Sequence, residues 1–254
     1  MFLQKNILNA ISYVKPKFTG AGFSLFIFFT VFFIAADFDL YGVSKDLNNP
    51  YLWSIFYGYG IICSIFIDLL AVKIPKITGT IKIAFYVLAG YLIFLPFGWM
   101  MVIVGGTVGA LCSLVFYFGT YMARKNVFFK YIFAICAPFI LCIILNTDFT
   151  VKKDWREWKR NSSYIALFDY FHGEHAIPIY AEKGQTITFS VKIQNNNGGG
   201  HGFHVLNKDG DVVAMKEVDE STYQIKAAEK SIYHIIVTGD KLKGSFTVTW
   251  DVNE

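Results

Sequence analysis

Cysteine is absent from residues 148–254, and histidine is absent from residues 1–147. Acidic residues are scarce in the first part, with four Asp and no Glu before residue 148. The four cysteines, Cys63, Cys112, Cys136 and Cys142, all fall in apolar segments. No disulfide framework and no zinc–thiolate site follows from them. They read as small apolar packing residues. Hydrolase signatures are missing too. There is no Gly-x-Ser-x-Gly, no Cys–His nucleophile pair and no His-Glu-x-x-His, and His172-Gly-Glu-His175 is one residue short of the last. The glycine-rich run Asn195–Gly202 is followed by no helix carrying Lys-Ser/Thr, which excludes a phosphate loop and leaves a mobile polar hairpin loop. Asp169 with Glu174 would be an acid–base pair only by the chance expected in an acid-rich domain. The chain is therefore expected not to be an enzyme.

What is present is hydrophobicity. Of 254 residues, 54% are hydrophobic and 18% aromatic, more than a soluble protein carries. Charge divides the chain. Residues 1–147 hold 10 Lys/Arg against 4 Asp/Glu, while residues 148–254 hold 13 against 15. The net charge of +4 thus belongs to the apolar part. Cytoplasmic loops explain it better than nucleic acid, which is not an expected partner.

The expected fold is a membrane α-helical bundle of about five transmembrane helices followed by an all-β antiparallel sandwich. Residues 1–17 read as a cytoplasmic N-terminal segment. Residues 18–147 read as the transmembrane domain, with spans at about 18–36, 51–72, 81–97, 100–122 and 127–145. Each run is long enough for a hydrocarbon core of about 30 Å. Ile34-Ala35-Ala36 is a poor cleavage site, so the first span is expected to be retained. The apolar run 83–122 must fold back once, and Pro96-Phe-Gly-Trp99 is the natural turn. Pro138 is expected to kink the fifth span.

The amino-terminal segment and the 73–82 and 123–130 loops each carry three Lys/Arg, whereas the 37–50 loop carries one. The positive-inside rule puts the amino terminus in the cytoplasm and, after five spans, the C-terminal domain outside a cell membrane. One segment dissents. Residues 148–160 read as a juxtamembrane linker whose Lys152, Lys153 and Arg156 would meet lipid headgroups. In a helix, Trp155 and Trp158 would share one face and anchor it at the interface. An ordinary charged linker is the alternative.

Inside the spans only Asp68 is ionisable, read as an interfacial carboxylate or, alternatively, as an ion or proton site. With no second charge at mid-depth, a proton-coupled transporter is disfavoured. Gly105, Gly109 and Ser113 recur every four residues, a spacing that lets helices approach closely. They point to packing within the bundle or to a homodimer through the fourth span.

Residues 161–254 switch to period-two alternation, in Gln185–Ile193 and Gly244–Val252, with a further strand at Ser231–Thr238. Asp209-Gly210 signals a hairpin between 203–207 and 211–215, and Glu182–Gln185 and Gly239–Gly244 signal turns. About eight strands are expected. The stretches Phe168-Asp-Tyr-Phe-His-Gly173, Lys183-Gly-Gln-Thr-Ile-Thr-Phe189, Leu206-Asn-Lys-Asp-Gly-Asp-Val-Val213 and Gly244-Ser-Phe-Thr-Val-Thr-Trp250 carry a resemblance. Over residues 164–252 the layout resembles the bacterial extracellular β-sandwiches of the pre-peptidase C-terminal type. That resemblance implies a bacterial surface setting and a binding or accessory role.

His172, Glu174, His175, His201 and His204 form two His-x-x-His groups beside glycines, and Zn or Cu would be their metal if the two loops met. Otherwise they are unrelated surface histidines. Beyond that metal no cofactor is expected. The leading function is display of an extracytoplasmic sandwich that binds an envelope protein or peptide, with the bilayer as the other partner. A protection factor against an extracellular toxin, acting through the bundle, is the alternative, and a transporter follows.

Overall fold

A computed structural model of the chain describes residues 2–219 and 221–253, with side chains from residue 11 onward. It divides into two compact units, Met1–Thr147 and Asp148–Glu254.

The first unit is helical. Helix α1 spans Phe2–Ala35 and α2 spans Leu40–Leu47. Helix α3 (Pro50–Trp53) runs through a π-helical turn, Ser54–Tyr59, into α4 (Gly60–Lys73). Helix α5 (Gly79–Leu92) is followed by a 3-10 turn, Leu95–Phe97, and by α6 (Trp99–Lys125). Helix α7 (Val127–Tyr131) passes through a second π-helical turn, Ile132–Cys136, into α8 (Ala137–Leu145). Five of these stretches are long and apolar enough to cross a membrane: Ile11–Ala35, Pro50–Lys73, Gly79–Phe97, Trp99–Lys125 and Val127–Leu145. This is a multi-pass membrane bundle.

Local chemistry sets the helix boundaries. Asn49, Thr78 and Asn126 each accept a backbone N–H of the first helical turn, which removes an orphan donor where a span begins. The chain reverses between α5 and α6 at Gly98, whose φ of +88° is open to glycine at no steric cost. Pro138 lies just past the π-helical turn of the fifth span. A proline offers no N–H to the carbonyl four residues back and crowds it, and a widened turn is one accommodation.

Two clusters hold the bundle. Leu25, Phe29, Val43, Leu47, Phe56, Leu141 and Leu145 bring the end of α8 beside α2. Ala21, Ile61, Ile67, Tyr86 and Phe116 join α1, α4, α5 and α6. The Gly105–Gly109–Ser113 stripe packs inside this bundle. A Cβ at Gly109 would meet the Gly90 carbonyl and the Phe94 ring, and one at Gly105 would meet the same ring. The Ser113 hydroxyl donates to the Tyr86 carbonyl at 2.7 Å. Helix α5 and Phe94 just beyond it therefore pack against the stripe from within the same chain.

The second unit is an antiparallel sheet of eight strands that folds into an open sandwich: β1 (Val151–Lys153), β2 (Arg156–Arg160), β3 (Ser163–Ala181), β4 (Thr186–Asn195), β5 (Gly200–Leu206), β6 (Lys216–Asp219), β7 (Thr222–Lys226) and β8 (Ser231–Asn253). The order is β1-β3-β8-β4-β7-β6, with β2 also on β3 and β5 on β8. Strands β3 and β8 are long enough to serve both layers. The first half of β3 pairs the second half of β8, and the reverse holds beyond a register break at Phe168–Gly173. Gly173 (φ +131°) and Gly244 (φ +144°) supply backbone that side chains resist. Alternate residues of the strands close one core around Phe171, Ile177, Phe189, Val237 and Phe246.

The strand count matches expectation, but its makeup does not. Ser231–Thr238 and Gly244–Val252 are one continuous strand. The strand expected after Asp209-Gly210 shrinks to a single bridge, Leu206–Val212. The missing members come from the charged stretch 148–160. It is neither a separate linker nor a helix, because β1 and β2 pair β3 along Val151–Lys153 and Arg156–Arg160. The Asn195–Gly202 loop is fastened rather than mobile. Asn195 donates to the Gly199 carbonyl, and Asn197 donates to the Lys241 carbonyl while accepting from the Lys243 amide.

Candidate functional site: a cationic cluster at one end of the bundle

Three helices each turn a polar pair, four residues apart, toward one point: Tyr13 and Lys17 on α1, Ser64 and Asp68 on α4, Lys82 and Tyr86 on α5. An i, i+4 spacing stacks both side chains on one helix face. Lys17 is wholly buried, and its Nζ lies 2.8 Å from Asp68 Oδ2 and 2.7 Å from Ser64 Oγ. The Ser64 and Tyr86 hydroxyls share a hydrogen bond of 2.6 Å. Lys82 Nζ reaches Asp68 Oδ1 at 3.1 Å, and the Tyr13 hydroxyl donates to Oδ2 at 3.0 Å. From the end of α6, Arg124 Nη2 stands 3.8 Å from Oδ2, an ion pair too long for a hydrogen bond.

This corrects two expectations. Lys17 is not in a segment outside the spans but in the middle of α1, and Asp68 is not alone. One carboxylate meets three cations, two of which close the opposite ends of loops. The arrangement joins the beginnings of the first and third spans to the ends of the second and fourth. The clue in the sequence was the repeated i, i+4 pairing. It goes unnoticed when Lys17 is assigned to a leader.

Two cavities flank the cluster. On one side a cleft of about 560 Å³ is lined by Ser12, Tyr13, Pro16, Asp68, Leu69, Val72, Lys82 and Arg124. On the other, Tyr86 separates the cluster from an apolar cavity of about 150 Å³ among α1, α4, α5 and α6. Three hydroxyls around that cavity turn to backbone: Ser24 to Cys112, Tyr59 to Ala89 and Ser113 to Tyr86. It offers shape but little chemistry.

The histidine set does not assemble. Among the described residues no three His, Cys, Asp or Glu side chains gather as metal ligands would. His172 and His175 lie within β3, and His201 and His204 within β5, rather than in free loops. Three residues apart on a strand, His201 and His204 point to opposite faces. His172 pairs Asp240, with Nδ1 at 3.1 Å from Oδ1. Glu174 continues β3, its amide donating to the Thr150 hydroxyl.

His175 belongs to a different group. It packs against Trp155 and Tyr164, and its Nδ1 accepts from Lys152 Nζ at 2.8 Å. Burial, and then the Lys152 ammonium, push it down to about 4. Glu157 accepts from the Tyr164 hydroxyl and from the Trp155 indole, and these bonds hold it below the usual carboxylate range.

The expected interface residues therefore separate. Trp155 stacks on Phe168 with ring centres 5.3 Å apart and belongs to the core. Lys152 covers the Trp155 ring and Lys153 the Tyr170 ring. Trp158 and Arg156 remain on the surface.

That surface has a defined face. Strand register places Arg156, Trp158 and Arg160 beside Leu167, Ile165 and Ser163, then beside Ser245, Thr247 and Thr249. Trp158 is 53% exposed, Leu167 45% and Ile165 37%. Lys192 continues the Trp158 row on β4. The face is an apolar island edged by cations.

No family model matches the chain, and no curated protein matches it. The resemblance of residues 164–252 to pre-peptidase C-terminal sandwiches thus rests on strand and turn pattern alone.

Proposed function

We propose that this chain is a cell-membrane protein whose bundle anchors, and whose extracytoplasmic sandwich binds, an envelope protein or peptide with an acidic, partly apolar surface. The observation that carries the reading is the Trp158–Ile165–Leu167 island with Arg156, Arg160 and Lys192 around it. Contiguous exposed apolar surface marks interaction sites, and Trp and Arg dominate the energetics of such interfaces. The bundle supports an anchoring role. Lys17, Lys82 and Asp68 close on one another at one end, and the Ser24, Tyr59 and Ser113 hydroxyls of the interior bond backbone.

Orientation follows from the loops. The Lys17, Lys82 and Arg124 end is cytoplasmic by the positive-inside rule, and the fifth span leaves at the other side. No observation favours the protection-factor reading or transport over this one.

A photocrosslinking residue replacing Trp158 or Leu167 in intact cells tests the proposal, with Val218 on β6 as control. The expected result is one discrete adduct from positions 158 and 167, absent at 218 and lost with Arg156→Glu plus Arg160→Glu. Adducts equal at all three positions, or none, would overturn it. The sandwich reached by an impermeant reagent only after lysis would overturn the orientation.

A further inference from the structure

The charge of the bundle cluster does not balance. Lys17, Lys82 and Arg124 converge on Asp68, and among the described residues no second carboxylate joins them. Lys17 is fully enclosed, and Asp68 compensates it. Lys82 and Arg124 are different. They are 29% and 53% exposed, they line the 560 Å³ cleft, and Arg124 makes no hydrogen bond to the carboxylate. A guanidinium has five donors in a planar fork and an ammonium three, so most of their capacity faces the cleft. Like charges held this close repel unless a further anion joins them.

We propose that the cleft binds a phosphate group, as the headgroup phosphate of an anionic membrane phospholipid. Phosphate suits the donor set, because Arg grips its oxygens with two N–H groups and Lys adds a point charge. The cleft walls indicate that the phosphate belongs to a lipid. Leu69 and Val72, the residue after Asp68 and the residue one turn of α4 beyond it, are 58% and 81% exposed and form an apolar lip beside the cationic floor. A free phosphate would leave that lip unused, whereas a lipid lays its glycerol and acyl carbons along it. The cluster also lies where basic residues collect at the ends of spans, the depth at which headgroups are found.

The test uses the full chain, delipidated in a zwitterionic detergent and followed by native mass spectrometry and thermal melting. Its probes are phosphatidylglycerol, phosphatidylcholine and inorganic phosphate. Phosphatidylglycerol should bind about thirtyfold more tightly than phosphatidylcholine, as two near-surface cations would produce. Lys82→Gln with Arg124→Gln should abolish that preference. Lys125→Gln, at the same end but over the Tyr121 ring rather than in the cleft, should preserve it. Arg124→Lys should retain part of it.

Equal binding of the two lipids by the wild-type chain would overturn the proposal, and this readout needs no variant to fold. Loss in Lys125→Gln as large as in the double variant would also overturn it, by showing general surface charge. Protection by millimolar inorganic phosphate without lipid preference would support the phosphate site and overturn the lipid as its source.

Discussion

The ammonium of Lys17 lies 2.8 Å from the carboxylate of Asp68, across 51 residues of sequence, with the lysine sealed from solvent. A buried ion pair of this kind is costly to break from either side, because the remaining charge is stranded. Asp68→Ala should therefore destabilise the bundle by about 3–5 kcal/mol, lowering its melting temperature in detergent. Lys17→Met combined with Asp68→Leu should recover most of the loss. A double variant as unstable as Asp68→Ala would show that the carboxylate acts through Lys82 and Arg124 instead.

Gly90 and Gly109 meet backbone to backbone between α5 and α6. Gly109→Leu should separate the two helices and cost at least about 1–3 kcal/mol, the usual range for overpacking. The effect should appear as bundle unfolding at any protein concentration. A variant that melts like wild type but shifts a dimer–monomer equilibrium would place the stripe on the outside.

Trp155 and Trp158 are three residues apart and should behave oppositely. Trp155→Ala removes a ring stacked on Phe168 and in contact with Phe171, His175 and Phe246, and should cost the sandwich about 3–5 kcal/mol. Trp158→Ala, on the surface, should stay within about 0.5 kcal/mol. Chemical denaturation read on the β domain separates the two, and equal losses would contradict the placement.

His175 gives the sandwich a pH dependence. Its folded value, about 4, is below the ordinary imidazole value of 6.5, so between them the unfolded chain binds more protons. Stability should be fully present above about 6.5 and fall as pH drops toward 4. Glu157, held below the carboxylate range, contributes in a separate window, lost only as pH falls below 4.5. His175→Gln should flatten the upper window and leave the lower one. An unchanged profile between pH 6.5 and 4 would refute the assignment.

The sequence by itself determined the two-part architecture. Five apolar runs admit little but helices in a bilayer, where every backbone donor must be satisfied within its own segment. Period-two alternation with glycine turns likewise admits little but half-buried strands, as in Gln185–Ile193. What only the tertiary structure decided is which distant residues meet. Lys17 looked like the edge of a leader because hydropathy counts residues along a line, and its cost is cancelled by Asp68 on another helix. The stretch 148–160 looked like a linker because all its strand hydrogen bonds go to β3, which follows it. His172, His175, His201 and His204 looked like one ligand set because of their spacing. Strand β8 stands between β3 and β5 and keeps the two groups apart, and pleated side chains alternate sides, so no spacing along one strand reveals its neighbour on the next.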